Sequence, residues 1–287
     1  MTAATGLEGA LLLLKLAAMD RIAFIGGGNM ASAIIGGLFK AGRPVDSVLV
    51  VEPFEGQRDK LRAELQVHAL AVADASLAQA ALVVWAVKPQ LFSAAALPCA
   101  AHVAQALQLS VMAGIRSDAI AHATGSQRVV RAMPNTPALI GQGVAGLFAR
   151  EAVTAADRTA VEAVLAPTGQ TLWVAREDQL DAVTALSGSG PAYVFYFIEA
   201  LMQAAQDMGL SAEQGRSLAL ATFAGSTALA QVSADPPALL RERVTSKGGT
   251  TFAALSALEA DQVKASIVRA VRAAQARARE LGDEFGR

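Results

Sequence analysis

Residues 22–31 read Ile-Ala-Phe-Ile-Gly-Gly-Gly-Asn-Met-Ala, and the chain then continues Ser-Ala-Ile-Ile-Gly-Gly-Leu through Leu38. A four-residue apolar run meets three glycines, after which the large apolar residues recur at helical spacing. This pattern specifies a buried strand, a tight turn and a helix. Gly26-x-Gly28-x-x-Ala31 fits the dinucleotide fingerprint, and each position has a mechanical reason. Gly26 permits the sharp turn out of the strand. Gly28, without a Cβ, lets the backbone approach a pyrophosphate. Ala31 keeps the helix close to the sheet, and the helix start offers unpaired N–H groups to an anion. A glycine turn alone is weak evidence, so the next acidic residue matters. Glu52 closes a second apolar run, Val48–Val51, about 20 residues on, where a ribose-binding carboxylate is expected. Such a carboxylate accepts hydrogen bonds from the 2′-hydroxyl of NAD and repels a 2′-phosphate. Arg58 lies close enough to reach that phosphate, so these residues leave NAD and NADP both open. The plainer alternative for Glu52 is a cap on an exposed strand end.

The rest of the chain bounds the chemistry. At 287 residues, with 53% hydrophobic and 17% charged, it can build full-sized cores and keeps an apolar surplus that suits oligomer interfaces. The net charge of −1 and the absence of basic runs argue against nucleic acid as a partner. A single cysteine, Cys99, excludes an internal disulfide, and three scattered histidines (His68, His102, His122) form no metal-ligand pattern. Chemistry without thiols or metals, in a cytoplasmic setting, is expected. Residues 1–19 contain Leu11–Leu14, but Lys15 interrupts the run and no basic segment precedes it. The stretch is too short to span a bilayer. A dispensable extension is the favoured expectation, a weak amphipathic anchor the lesser one.

Strand patterns at Val48–Val51, Val67–Leu70, Leu82–Val87, Leu107–Met112 and Val129–Met133 alternate with helical ones at Gln57–Leu65, Ala75–Ala80 and Ala155–Leu165. Alternation of this kind predicts a doubly wound parallel α/β sheet over residues 20–180. Ligands of such sheets sit at the strand carboxyl ends, where Gly26, Lys88, Ala113 and Asn135 should gather. Pro134-Asn135-Thr136-Pro137 is either a stiff polar loop that pins a cofactor amide or an ordinary proline-bounded turn. From residue 181 strand patterns vanish, and the remainder reads as Ala-rich helices. Ser189 is the expected N-cap of a long apolar helix, with Pro191 in its first turn. The helices of this region are so apolar that dimerisation through them is predicted. Between two of them, Val244-Thr-Ser-Lys-Gly-Gly-Thr-Thr251 places hydroxyls on both sides of a Gly-Gly pair just before a helix. Ser246, Thr250 and Thr251 with exposed backbone N–H groups would cradle a carboxylate; otherwise the stretch is a flexible helix connection.

Together, Gly-Gly-Gly-Asn-Met-Ala (26–31), Ala-Val-Lys-Pro (86–89), Asn-Thr-Pro (135–137), Leu-Ser-Gly-Ser-Gly-Pro-Ala-Tyr (186–193) and Val-Thr-Ser-Lys-Gly-Gly-Thr-Thr (244–251) resemble the pyrroline-5-carboxylate reductase family in order and spacing. The resemblance runs from Asp20 to the C-terminus. It implies an N-terminal Rossmann domain for NADP or NAD and an all-helical C-terminal dimerisation domain (181–287). The implied activity is NAD(P)H-dependent reduction of 1-pyrroline-5-carboxylate, a small-molecule substrate, to L-proline, by homodimers that in the family often assemble into rings. No metal and no membrane partner is implied. The family's cofactor contacts map onto Ile25, Gly26, Gly27, Gly28, Asn29, Met30, the Glu52 region, Ala86, Val87, Lys88, Pro89, Met112 and Ala113. Its substrate loop maps onto Ser246, Gly248, Gly249, Thr250 and Thr251. Thr251 matches the threonine whose hydroxyl approaches the imine nitrogen, which makes it the catalytic candidate.

Two residues depart from the pattern. Lys247 stands where many members have proline, and Glu52 where NADPH-preferring members carry a small or neutral residue. The inventory of side chains suits the implied chemistry. A protonated cyclic imine already accepts hydride strongly, so positioning matters more than a strong acid. Two other readings compete. A β-hydroxyacid dehydrogenase would use a lysine on its long interdomain helix, and this chain has none between Lys88 and Lys247. A non-catalytic nucleotide sensor would keep the glycine turn without needing residues 244–251.

Overall fold

The computed structural model describes residues 21–285, and the N-terminal extension lies outside the described residues. Seven strands form one sheet in the order β2-β1-β3-β4-β5-β6-β7. They are β1 (Ile22–Ile25), β2 (Val48–Val51), β3 (Leu82–Trp85), β4 (Leu107–Ser110), β5 (Val129–Met133), β6 (Gly143–Ala149) and β7 (Gly169–Trp173). The first five are parallel. β6 reverses against β5, and β7 follows β6 in parallel. The doubly wound parallel sheet expected from the sequence is therefore present, extended by a reversed pair.

β1 and β3 are buried at every residue, as unbroken apolar runs must be when both sheet faces are covered. Alternate residues feed opposite cores. Ile22, Phe24, Val84 and Leu109 join Ile34 and Leu38 of α1 (Asn29–Lys40) on one face. Ala23, Ile25, Val83 and Trp85 meet Phe92 and, from α3 (Ser117–Thr124), Ile120 on the other. Gln108, fully buried in β4, is hydrogen-bonded through both amide atoms. It accepts from Trp85 Nε1 at 2.8 Å and donates to the carbonyls of Val103 and Ala106. Between them in the chain, α2 (Glu55–Leu65) follows β2 and buries Leu61. α4 (Ala155–Leu165) starts on a capping box in which Thr154 and Asp157 exchange hydrogen bonds.

Several elements are shorter than the sequence patterns suggest. β3 ends at Trp85 and β4 at Ser110. Val67–Leu70 contributes one bridge, Val51 to Leu70. Ala75–Gln79 is a 3-10 turn capped by Asp74.

The chain divides into two compact units, one reaching Ser189 and regaining residues from Ala274 onward, the other spanning Gly190–Ala273. Ser189 is not an N-cap. The short helix Gln179–Val183 widens into a π turn at Thr184–Gly188 and runs on through Ser189, whose backbone (φ −85°, ψ −18°) is helical. Thr184 and Ser187 donate their hydroxyls to carbonyls four residues back, which ties the widened turn to the helix before it. In the first unit the last turns of the chain pack beside the loop after β4: Arg116 pairs with Asp283 at 2.6 Å.

The second unit is helical throughout. It contains α5 (Gly190–Asp207), α6 (Ala212–Val232), α7 (Pro237–Arg243), α8 (Thr250–Ala260) and the start of α9 (Val263–Phe285). α6 begins on a Ser211–Gln214 capping box. α5 and α6 approach closely at Gly215, where a Cβ would lie 2.9 Å from that of Ala205.

Candidate active site

Parallel strand order places a switch point between β1 and β3, because the chain leaves β1 toward β2 on one side and returns to β3 on the other. Crevices at such points bind ligands. The Gly26–Gly28 turn sits there. Gly26 has φ +95°, and a Cβ would stand 2.7 Å from the Ala86 carbonyl oxygen. Only glycine permits this close approach of the turn to the loop after β3. Two main-chain bonds fix the approach: Gly26 N–H to Val51 O, and Ala86 N–H to Ile25 O, both 2.8 Å.

Gly28 is the N-cap of α1 and has no side-chain cap hydrogen bond. A Cβ built on it meets no atom within 4 Å. The helix start thus presents uncapped N–H groups beside open space, a shape that accepts a pyrophosphate. The residues present therefore fit a dinucleotide. At the β3 end, Lys88 is exposed and extended, and Pro89 opens a short 3-10 turn that directs the chain away. Ala113 lies half-buried beyond β4, before Gly114. Ile25 and Met112 are 2% and 3% exposed. Their side chains are core, which leaves only their backbones for a ligand. Asn29 is exposed, and Gly27 is buried.

Glu52 is 6% exposed, and its carboxylate points into the turn. Oε2 accepts the Gly27 N–H at 2.8 Å, and Oε1 accepts the Phe54 N–H at 2.9 Å. Gln57 Nε2 donates to the Gly27 carbonyl at 2.5 Å. The same glycine is therefore held from both sides, by an acceptor and a donor. Gln57 has no motif that would single it out in the sequence; its role follows only from the first turn of α2 passing over the glycines. Asn135, which the loop pattern offers as an amide-pinning group, accepts the Val144 N–H with its Oδ1 at 3.0 Å. This bond ties the Pro134–Pro137 loop to β6.

In the helical unit, residues 244–251 join α7 to α8. Gly248 adopts φ +75° with no atom within 4 Å of a built Cβ. Gly249 caps α8 without a side-chain hydrogen bond, and its N–H bonds Ser246 O at 3.0 Å. A Cβ at Gly249 would sit 2.6 Å from Ser246 Oγ. Among the described residues the hydroxyls of Ser246, Thr250 and Thr251 form no hydrogen bond, and Lys247 forms no ion pair. The loop therefore offers hydroxyls, a cation and uncapped helix N–H groups together, a donor set suited to a carboxylate.

Comparison with known proteins agrees with this geometry. A family model described as pyrroline-5-carboxylate reductase dimerisation matches residues 177–281. A second, described as NADP oxidoreductase coenzyme F420-dependent, matches residues 21–114. The pyrroline-5-carboxylate reductase of Pseudomonas aeruginosa is 41% identical across 93% of this chain and 98% of its own length. The chain belongs to the pyrroline-5-carboxylate reductase family. Among the reductases, that of Haemophilus influenzae is 40% identical across 92% of the chain and 98% of its own length. A solved pyrroline-5-carboxylate reductase from Coxiella burnetii superposes with a TM-score of 0.85 at 35% identity, covering 91% of this chain and 98% of that one. A Plasmodium falciparum pyrroline carboxylate reductase solved with NADP bound gives 0.82 at 28% identity, covering 92% and 98%. The reductase fold thus extends over both units of the chain.

Proposed function

We propose that the chain reduces the C=N bond of 1-pyrroline-5-carboxylate to L-proline with a nicotinamide dinucleotide, working as a homodimer or a larger ring in the cytoplasm. The observation that carries this reading is the loop 244–251 with its unpartnered donors, because the Gly26–Ala31 turn alone would suit many dehydrogenases. Gly26 to Met30, the backbones of Ala86 to Pro89, and those of Met112 and Ala113 would hold the dinucleotide. When bound, it supplies the hydride. Ser246, Gly248, Gly249, Thr250 and Thr251 would bind the substrate carboxylate and orient the ring, with Lys247 adding positive charge.

The proton balance asks little of the protein. The imine enters as its protonated form, hydride adds to the ring carbon, and nitrogen keeps its proton as the secondary amine. Thr251 Oγ1 would accept a hydrogen bond from that N–H and fix the ring face. No placed acid of low pKa is needed, and the site contains no histidine.

Homo-oligomerisation fits the exposed apolar surface of the helical unit, where Phe195, Tyr196, Leu218 and Leu229 are 57–71% exposed in the single chain. Among the described residues no helix is long and apolar enough to cross a membrane.

The test is a reduction assay on purified protein, following nicotinamide oxidation with NADH and NADPH in parallel and identifying the product. Stoichiometric proline is the expected result. A folded protein that binds the dinucleotide and yields no proline with either cofactor would replace the reductase reading with that of a sensor.

A further inference from the structure

We infer that Arg58, and not Glu52, sets nucleotide choice, by pairing with the 2′-phosphate of NADP(H), while Glu52 is a positioning residue for the glycine turn. The inference rests on the dinucleotide part of the function proposed above and deepens it.

An acidic residue at the end of β2 selects NAD when its carboxylate is free to take the ribose hydroxyls and its charge faces the 2′ position. Glu52 meets neither condition. It is 6% exposed, and each carboxylate oxygen already accepts a backbone N–H, from Gly27 and from Phe54. These two bonds offset its charge and aim it beneath the turn, where it sets the Gly27 amide.

Arg58 is the cation at the same strand end. Its Nη1 donates to the carbonyls of Glu52 at 3.1 Å and Pro53 at 2.6 Å. Two neutral acceptors hold the guanidinium in place without cancelling its charge, and among the described residues it makes no ion pair. Nε and Nη2 keep their donors, and the side chain is only half-buried. A planar fork fixed along one edge, with donors left on the others, suits a phosphate.

Sequence position alone leaves Glu52 and Arg58, and both nucleotides, open. The hydrogen bonds favour Arg58.

Calorimetric titration of the full chain with NADP⁺ and with NAD⁺, without substrate, tests this directly. Wild-type protein should bind NADP⁺ at least about 10-fold more tightly, the scale of charge-assisted hydrogen bonds to phosphate. Arg58→Ala should bring the two dissociation constants to within about threefold while leaving that for NAD⁺ unchanged, and Arg58→Lys should restore part of the ratio through charge without the fork. Glu52→Gln should weaken both nucleotides alike. An unchanged ratio in Arg58→Ala overturns the inference, as does a Glu52→Gln variant that shifts the ratio about 10-fold toward NADP⁺. Should Glu52→Gln fail to fold, the half-buried Arg58 variants still decide.

Imine reduction is not read in this experiment. A chain that discriminates through Arg58 yet makes no proline leaves this inference standing and removes the reductase reading. A chain that makes proline and binds both nucleotides equally does the opposite.

Discussion

The two units of this chain bury their apolar residues very differently. In the sheet unit, Trp85, Phe24, Ile22, Leu82 and Leu109 are all below 2% exposure. In the helical unit, α7 and α8 bury no residue, α5 buries Ala205 alone, and α6 buries only Gly215 and Ala219. The large apolar side chains there, Phe195, Leu201, Leu218, Leu229 and Phe252 among them, remain 45–59% exposed. A sheet covered on both faces closes its own core. A helical hairpin whose apolar residues lie all round its helices needs a further layer. The first unit is thus built to be stable within one chain, the second to be completed by a second copy.

The largest effect should come from attacking the exposed helical surface. Phe195→Glu combined with Leu218→Glu should weaken association by about 100-fold or more, since charges would enter a desolvated contact. Sedimentation would show the species, and both tryptophans, Trp85 and Trp173, lie in the sheet unit and would report that it stays folded. A doubly substituted protein that stays a full oligomer would break the comparison by placing the contact elsewhere.

The glycine turn offers the next test, this time inside the self-sufficient unit. Gly28→Ala meets no protein atom, so the fold should persist with its tryptophan fluorescence unchanged. The new methyl group would fill the space expected to take the pyrophosphate, and NADP⁺ affinity should drop by about 10- to 100-fold. Gly26→Val, with a Cβ 2.7 Å from the Ala86 carbonyl oxygen and φ +95°, should disturb the fold as well. Equal affinity in Gly28→Ala and wild type would remove the anion from that helix start.

These variants also mark what was legible in the sequence. The glycine turn is a local device, so spacing revealed it, and the alternation of strand and helix revealed the sheet. The exposed helical faces could be read from apolar content for the same reason. Relations that need three dimensions were hidden. Glu52 looks like a ribose ligand in the sequence because position is all that a sequence displays; its carboxylate turns inward because Gly27 and Phe54 offer N–H groups there. Ser189 has the composition of a cap, yet a π turn carries the helix through it. Gln57 has no pattern at all, since its partner lies thirty residues earlier.

A smaller effect separates the chemistry from the fold. Thr251→Ala removes a hydroxyl that forms no hydrogen bond within the described protein, so stability and nucleotide affinity should not change. Turnover should fall by about 10- to 100-fold, as for loss of one hydrogen bond that positions the reacting ring. Unchanged turnover would take the hydroxyl out of the reaction and leave the loop as a carboxylate cradle only.

The smallest effect concerns what holds the sheet unit together besides its core. Asp157 closes the α4 capping box with Thr154 and receives Arg128 Nη2 at 2.5 Å. Burial opposes ionisation of this carboxyl, but the hydrogen bonds from Arg128 and Thr154 outweigh it and hold the pKa below the ordinary aspartate value. A depressed native pKa means that the unfolded chain binds the proton more readily. The contribution is therefore complete above about pH 4 and is lost as the pH falls through the native pKa. Asp157→Asn should cost about 1 kcal/mol at pH 7, the size of a helix cap. The deficit should be smaller near pH 3, because below the ordinary aspartate pKa the unfolded chain takes up the proton more readily than the native one. Urea unfolding followed by tryptophan fluorescence reads the sheet unit alone. An equal deficit at both pH values would assign the role of Asp157 to shape rather than charge, and the sheet unit would then owe its stability to packing at every pH.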